Sequence, residues 1–133
     1  MNEVSYIGKH PLTLSVPKHI HDNWEFIYCT GGIGTLVFND CELDYKEGDI
    51  AIIPPGIAHS NHSSNGFTNI HINMNDAALP FKEPLIITDD ANKHILDAFN
   101  SLHYHYYSNI ERKQLVVSAL GMLILSYFVI HQE

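Results

Sequence analysis

At Asp89 the hydrophobic period of the chain changes, and this break decides most of what the sequence can fold into. Before it, apolar residues recur at alternate positions in short runs; after it they recur at every third or fourth. Alternation puts successive side chains on opposite faces of a strand, whereas a spacing of three to four lines up one face of a helix. The strand-like runs are "LTLSV" (12–16, closed by Pro17), "WEFIYCT" (24–30), "TLVFN" (35–39), "CELDY" (41–45), "IAIIP" (50–54), "TNIHINMN" (68–75) and "PLIITD" (84–89). "GGIG" (31–34), "ND" (39–40), "KEGD" (46–49) and "SNHSSNG" (60–66) read as the turns between them. Short strands with frequent turns predict a mainly β chain, a sandwich or barrel.

After the break, Ile95, Leu96, Phe99, Leu102 and Tyr106 mark the buried face of one helix. Asp89 or Asp90 is placed to accept backbone N–H bonds at its start. A second helix is expected over 111–131, with "ERK" in its first turn. The expected organisation is a β-barrel with an N-terminal arm over 1–90, then a two-helix hairpin over 91–133 packed on it as one structural domain. In the second helix, Leu115, Val116, Leu120, Leu123, Val129 and Ile130 cannot all face one small barrel. A helix apolar around most of its circumference needs a second partner, and an identical helix across a two-fold axis supplies it. Leu115, Leu120, Leu123 and Tyr127 are the expected interface residues of a homodimer.

Charge narrows the partners. Lys and Arg number 7 against 15 Asp and Glu, a formal charge of -8. Phosphate binding needs a basic face, so the segment is not expected to grip nucleic acid or an anionic membrane surface. "MNEVSYIGKH" has no apolar core of signal-peptide length, and the expected compartment is the cytoplasm. Cys29 and Cys41 are expected as free, buried thiols; with 31–34 as a hairpin turn, Cys29 falls opposite about Leu36. The apolar run 115–130 is broken by Ser118 and Ser126 and closely flanked by charge, which reads as a buried helix rather than a membrane span.

The chemistry concentrates in "HIHDNWEF". His19, His21 and Glu25 share one parity, so on an extended strand they point to one side while Trp24, Phe26 and Tyr28 point to the other. Downstream, "GDIAIIPPGIAH" ends in His59, which a neighbouring antiparallel strand can bring against the first trio. Three imidazoles and one carboxylate suit a divalent transition metal: Zn, Ni, Fe, Mn or Cu. The alternative is a polar cluster without metal. Asn69, His71 and Asn73 share a strand face; turned inward they line a ligand pocket, turned outward they are a solvated face. His103 and His105 point apart on a helix, so "HYHYY" reads as surface or interface, and His62 as a solvated turn residue.

These stretches resemble the two cupin motifs. The first is H-x-H, three residues, E, six residues, G, here His19, His21, Glu25 and Gly32; the second is G, five residues, P-x-G, two residues, H, here Gly48, Pro54, Gly56 and His59. The resemblance implies a double-stranded β-helix, or jelly-roll barrel, with the three histidines and the glutamate as metal ligands. The chain departs from the motifs at Thr13 and Ser63, neither of them a ligand position. Residues 21–60 are more narrowly similar to the N-terminal sensor domain of AraC-type transcription regulators. That resemblance implies a small-molecule effector in the barrel, helices that dimerise, and DNA contact through a further C-terminal helix-turn-helix domain, which these 133 residues do not contain. A small metal-dependent cupin enzyme, an oxygenase or isomerase, is the alternative reading.

Overall fold

The computed structural model describes residues 2–132. Six strands, β1 (Glu3–His19), β2 (Trp24–Val37), β3 (Glu42–Lys46), β4 (Asp49–Ile53), β5 (His59–Asn75) and β6 (Leu85–Thr88), precede helices α1 (His94–Tyr106) and α2 (Lys113–Gln132). The strands form one sheet in the order β1-β5-β2-β4-β6, with β3 paired to β2, and every pairing is antiparallel. The long strands bend and serve both halves of a barrel. The first half of β2 pairs with β4 from Glu25↔Ile53 to Tyr28↔Ile50, and its second half pairs with β3 from Ile33↔Lys46 to Val37↔Glu42.

The bend replaces two of the expected turns. β2 runs straight through "GGIG", with register shifts against β5 between Cys29 and Gly31 and between Gly32 and Thr35. Bulges of this kind bend and twist a strand without reversing it. Gly32 has φ +83, and a Cβ there would overlap the carbonyl oxygen of Gly66. β5 is therefore continuous through "SNHSSNG", because it must follow β2 around the bend. Cys29 accordingly pairs with Asn69, and Leu36 lies across from Leu43 and Asn61. β1 also outruns its expected limits: residues 3–19 pair with β5, and the strand passes through Pro11 and Pro17. It pairs with β5 alone, an edge position where a missing N–H is tolerated.

Parity divides the core in two. Trp24, Phe26 and Tyr28 face the helices, where Phe26 meets Phe128 at 4.9 Å and Tyr28 meets Phe99 at 5.6 Å between ring centroids. The other face of β2 points into the barrel, whose apolar part contains Cys29, Leu36, Phe38, Tyr45, Ile53 and Phe67. Both cysteines are free thiols; Cys29 is buried, but Cys41 is exposed, because it follows the tight turn at Asn39–Asp40 instead of lying within a strand.

The Asp89 carboxylate accepts the backbone N–H groups of Ile95 and Leu96, and Asp90 accepts that of His94, so both acids serve the first turn of α1. α2 begins at Lys113, after Arg112 at φ 55, and not at Glu111. It buries Val117, Gly121, Ile124, Leu125 and Phe128. Of the four expected interface residues, Leu115 and Leu123 are exposed (66% and 42%), whereas Leu120 and Tyr127 pack against the core. α2 is long and apolar enough, by length and composition alone, to cross a membrane, with a mean hydropathy of 1.8.

Candidate metal centre

β1 ends at His19 and β5 begins at His59, and these two residues are register partners. His21 lies in the short link to β2, and Glu25 is the second residue of that strand, between Ile53 of β4 and Asn73 of β5. The Pro-Pro-Gly turn fixes the link: Gly56, at φ +77, donates its N–H to the His21 carbonyl at 2.8 Å. The sequence spacing thus becomes a spatial one. Nitrogen and carboxylate oxygen atoms of His19, His21, Glu25 and His59 all lie within 4.8 Å of one another. Glu25 Oε1 is 2.8 Å from His59 Nε2 and 3.9 Å from His19 Nε2, and Oε2 is 3.7 Å from His21 Nε2.

Two backbone carbonyls aim the rings. His19 Nδ1–H donates to the Pro17 oxygen at 2.8 Å and His59 Nδ1–H to the Ile57 oxygen at 2.9 Å. Each Nε2 is thereby turned toward Glu25, the outer-shell arrangement that orients metal-bound histidines. At His59 both ring nitrogens face oxygen acceptors. A cation held at Nε2 would satisfy the facing Glu25 oxygen while Nδ1–H keeps its bond to the Ile57 carbonyl. The donor set therefore fits a divalent transition metal: three imidazole nitrogens and one carboxylate, with His59 and Glu25 buried. Burial alone would raise the Glu25 carboxyl; the imidazoles of His19, His59 and His21 outweigh it and hold it at about 2. Glu25 in turn raises His19, against the opposing effect of burial.

The surrounding wall corrects the solvated reading of the "NIHIN" strand. Asn69 and Asn73 are buried and His71 is largely so, because the alternate residues Ile70, Ile72 and Met74 pack under the helices. Asn69 Oδ1 faces His71 Nδ1 at 3.1 Å, and Asn73 donates to Asn23. Burial holds His71 down at about 4, so the ring is neutral at pH 7. Sequence reasoning missed His10, which stacks on His71 at 4.5 Å, and Asn61, whose Oδ1 accepts from Tyr45 at 2.6 Å. Parity within β5 could have found Asn61; His10 comes to the site only through the β1–β5 pairing.

An inner cavity of about 40 Å³ adjoins His19, Glu25 and His59, and an outer groove of about 440 Å³ adjoins His19, His21 and Glu25. A larger groove of about 860 Å³ lies over Ile33, Thr35, Asp44 and His62. Several of its polar groups already have partners: Thr35 donates to Asp44, Ser63 to the Ile33 carbonyl, and His62 Nε2 lies 3.1 Å from Ser60 Oγ. Asp89, Asp90 and His131 make a second cluster, but Asp89 is occupied by Tyr28 and α1, and Asp90 by His94 and His131. It ties the end of β6 to both helices. His103 and His105 do not converge; His105 bonds to the Ser101 carbonyl.

Residues 3–81 match the profile of the AraC-like ligand binding domain. No curated protein matches the chain. Among solved structures, apo ToxT from Vibrio cholerae, a point variant, aligns with a TM-score of 0.62 at 9% identity, over 96% of this chain and 56% of its own. A cupin-2 domain containing protein from Shewanella frigidimarina aligns at 0.44 and 21% identity, over 50% of this chain and 64% of its own. A predicted oxalate decarboxylase from Thermotoga maritima aligns at 0.48 and 22% identity, over 54% of this chain and 67% of its own. The chain thus spans less than two thirds of ToxT and of the Shewanella protein. The fold is the cupin barrel followed by two helices.

Proposed function

This chain belongs to the AraC-like ligand-binding domain family, and on that premise we propose that it is an effector-sensing domain that holds one divalent transition metal through His19, His21, Glu25 and His59. The observation that carries the reading is the convergence of four donor side chains inside the barrel, with two rings aimed by backbone carbonyls. The metal would supply a Lewis-acidic centre to which a ligand can attach. The protein orients the imidazoles, holds Glu25 ionised, and limits access to the outer groove. A sugar-sized effector does not fit an inner cavity of about 40 Å³; beside the four donors it would lie in the groove of about 440 Å³, which is within the range of small-molecule sites.

We further propose a homodimer through the exposed side of α2, a cytoplasmic location, and DNA contact through a separate domain. The domain senses and does not catalyse; metal-dependent turnover of a substrate would favour the enzyme alternative. The test is thermal. Zn2+ or Co2+ added to chelator-stripped protein at about a hundred times Kd stabilises it by about 2.7 kcal/mol, which raises Tm by several degrees. His59→Ala should fold yet show no such rise; an equal rise in the variant would contradict the assignment.

A further inference from the structure

We propose that His10, stacked on His71, is a ligand-recognition residue beside the metal cluster, and that it takes the carboxylate head of a small effector. The inference rests on the metal reading above. His10 Nδ1 is the one buried side-chain nitrogen or oxygen among the described residues that has no hydrogen-bond partner. An unpaired buried polar atom is disfavoured, so its presence marks a place for a partner from outside the chain. His71 has no Nδ1–H to offer a ligand, because that group donates to Asn69 Oδ1. The stack, 4.5 Å between centroids and 29° between planes, makes His71 a positioning residue for the His10 ring.

Place and size define the ligand. His10, Val16 and His71 line both the inner cavity and the outer groove, together with His19 and Glu25. A molecule that reaches the cluster from the groove passes them. The inner cavity of about 40 Å³ compares with about 30 Å³ for one water in the liquid. It admits a head group of a few non-hydrogen atoms and leaves the body of the ligand in the groove.

Charge gives the sign. Lys18 lines the groove, and Glu25 is the one carboxylate in either wall. With Glu25 committed to a divalent cation, the site is a positive spot on a chain of formal charge -8. Such a spot draws an anion, and a carboxylate accepts the His10 N–H.

The test uses the full chain loaded with Co2+, titrated with formate and followed by the visible absorption of the cobalt. His10→Phe keeps a stacking ring and removes the N–H; His10→Asn restores an amide donor near the Nδ1 position. Formate should perturb the wild-type spectrum, bind at least about tenfold more weakly to His10→Phe, and recover to within about threefold in His10→Asn. The ligand-free cobalt spectrum should be the same in all three. Equal formate affinity in wild type and His10→Phe overturns the proposal, as does a cobalt-loaded wild type that ignores formate. A wild type that takes up no cobalt refutes the metal reading itself, and the subsite with it, before formate is added.

Discussion

His59 has an oxygen acceptor on each side of its ring, and Glu25 has an imidazole on each side of its carboxylate. The spacing of the first motif pointed to His19, His21 and Glu25 and the second to His59, but the single extended strand expected for the trio is instead the end of β1, a short link and the start of β2. His10 was illegible, since nothing local to "GKHP" says that it will meet His71 across a strand pair. The same wall gives a pH dependence with a definite sign. His71 is held at about 4 against an ordinary 6.5, so between these values the unfolded chain binds the proton and the folded chain does not. Stability of the chelator-treated protein should therefore fall as pH drops from 6.5 to 4. Glu25, lowered from 4.5 to about 2, should extend the fall below 4.5. His19 is raised and acts above 6.5, outside this window. Urea unfolding at pH 7, 5.5 and 4.5 should show a shallower decline in His71→Phe; parallel declines would contradict the assignment.

At the scale of elements, the glycine-rich stretches were the hardest to read. "GGIG" has the composition of a hairpin turn, and only the length of β5, set by residues thirty positions downstream, makes it a bend instead. Gly32→Ala should destabilise the fold by about 2 kcal/mol or more, because a positive φ and backbone overlap with Gly66 act together. A variant that melts with the wild type would show that the bend relaxes freely. The change of period at Asp89, by contrast, announced both helices, and "NIHIN" announced a two-faced strand without saying which face was inside. In α2 the structure separates a buried from an exposed apolar face, which hydrophobicity alone merges. Leu120 packs on the core, whereas Leu123 and Met122 are exposed on the outer side. Leu123→Asp should convert a dimer to a monomer in sedimentation with little change in Tm, while Leu120→Asp should lower Tm. An unchanged mass for Leu123→Asp removes the dimer surface.

At the scale of the whole molecule, one side of β2 is held by two helices and the other encloses the donor set, so the barrel couples a polar interior to an apolar helical back. Asp89 and Asp90 join the two by bonding Tyr28, the start of α1 and, through His131, the end of α2. Hydrogen bonds thus run without a break from β2 to both helices. The central claim, however, is the metal. The most direct measurement is elemental analysis of the chain purified without an affinity tag and without contact with a nickel column. The account predicts close to one equivalent of a divalent transition metal, lost in His59→Ala. Wild-type protein that carries no metal, and takes none up on dialysis against Zn2+ or Co2+, would contradict it.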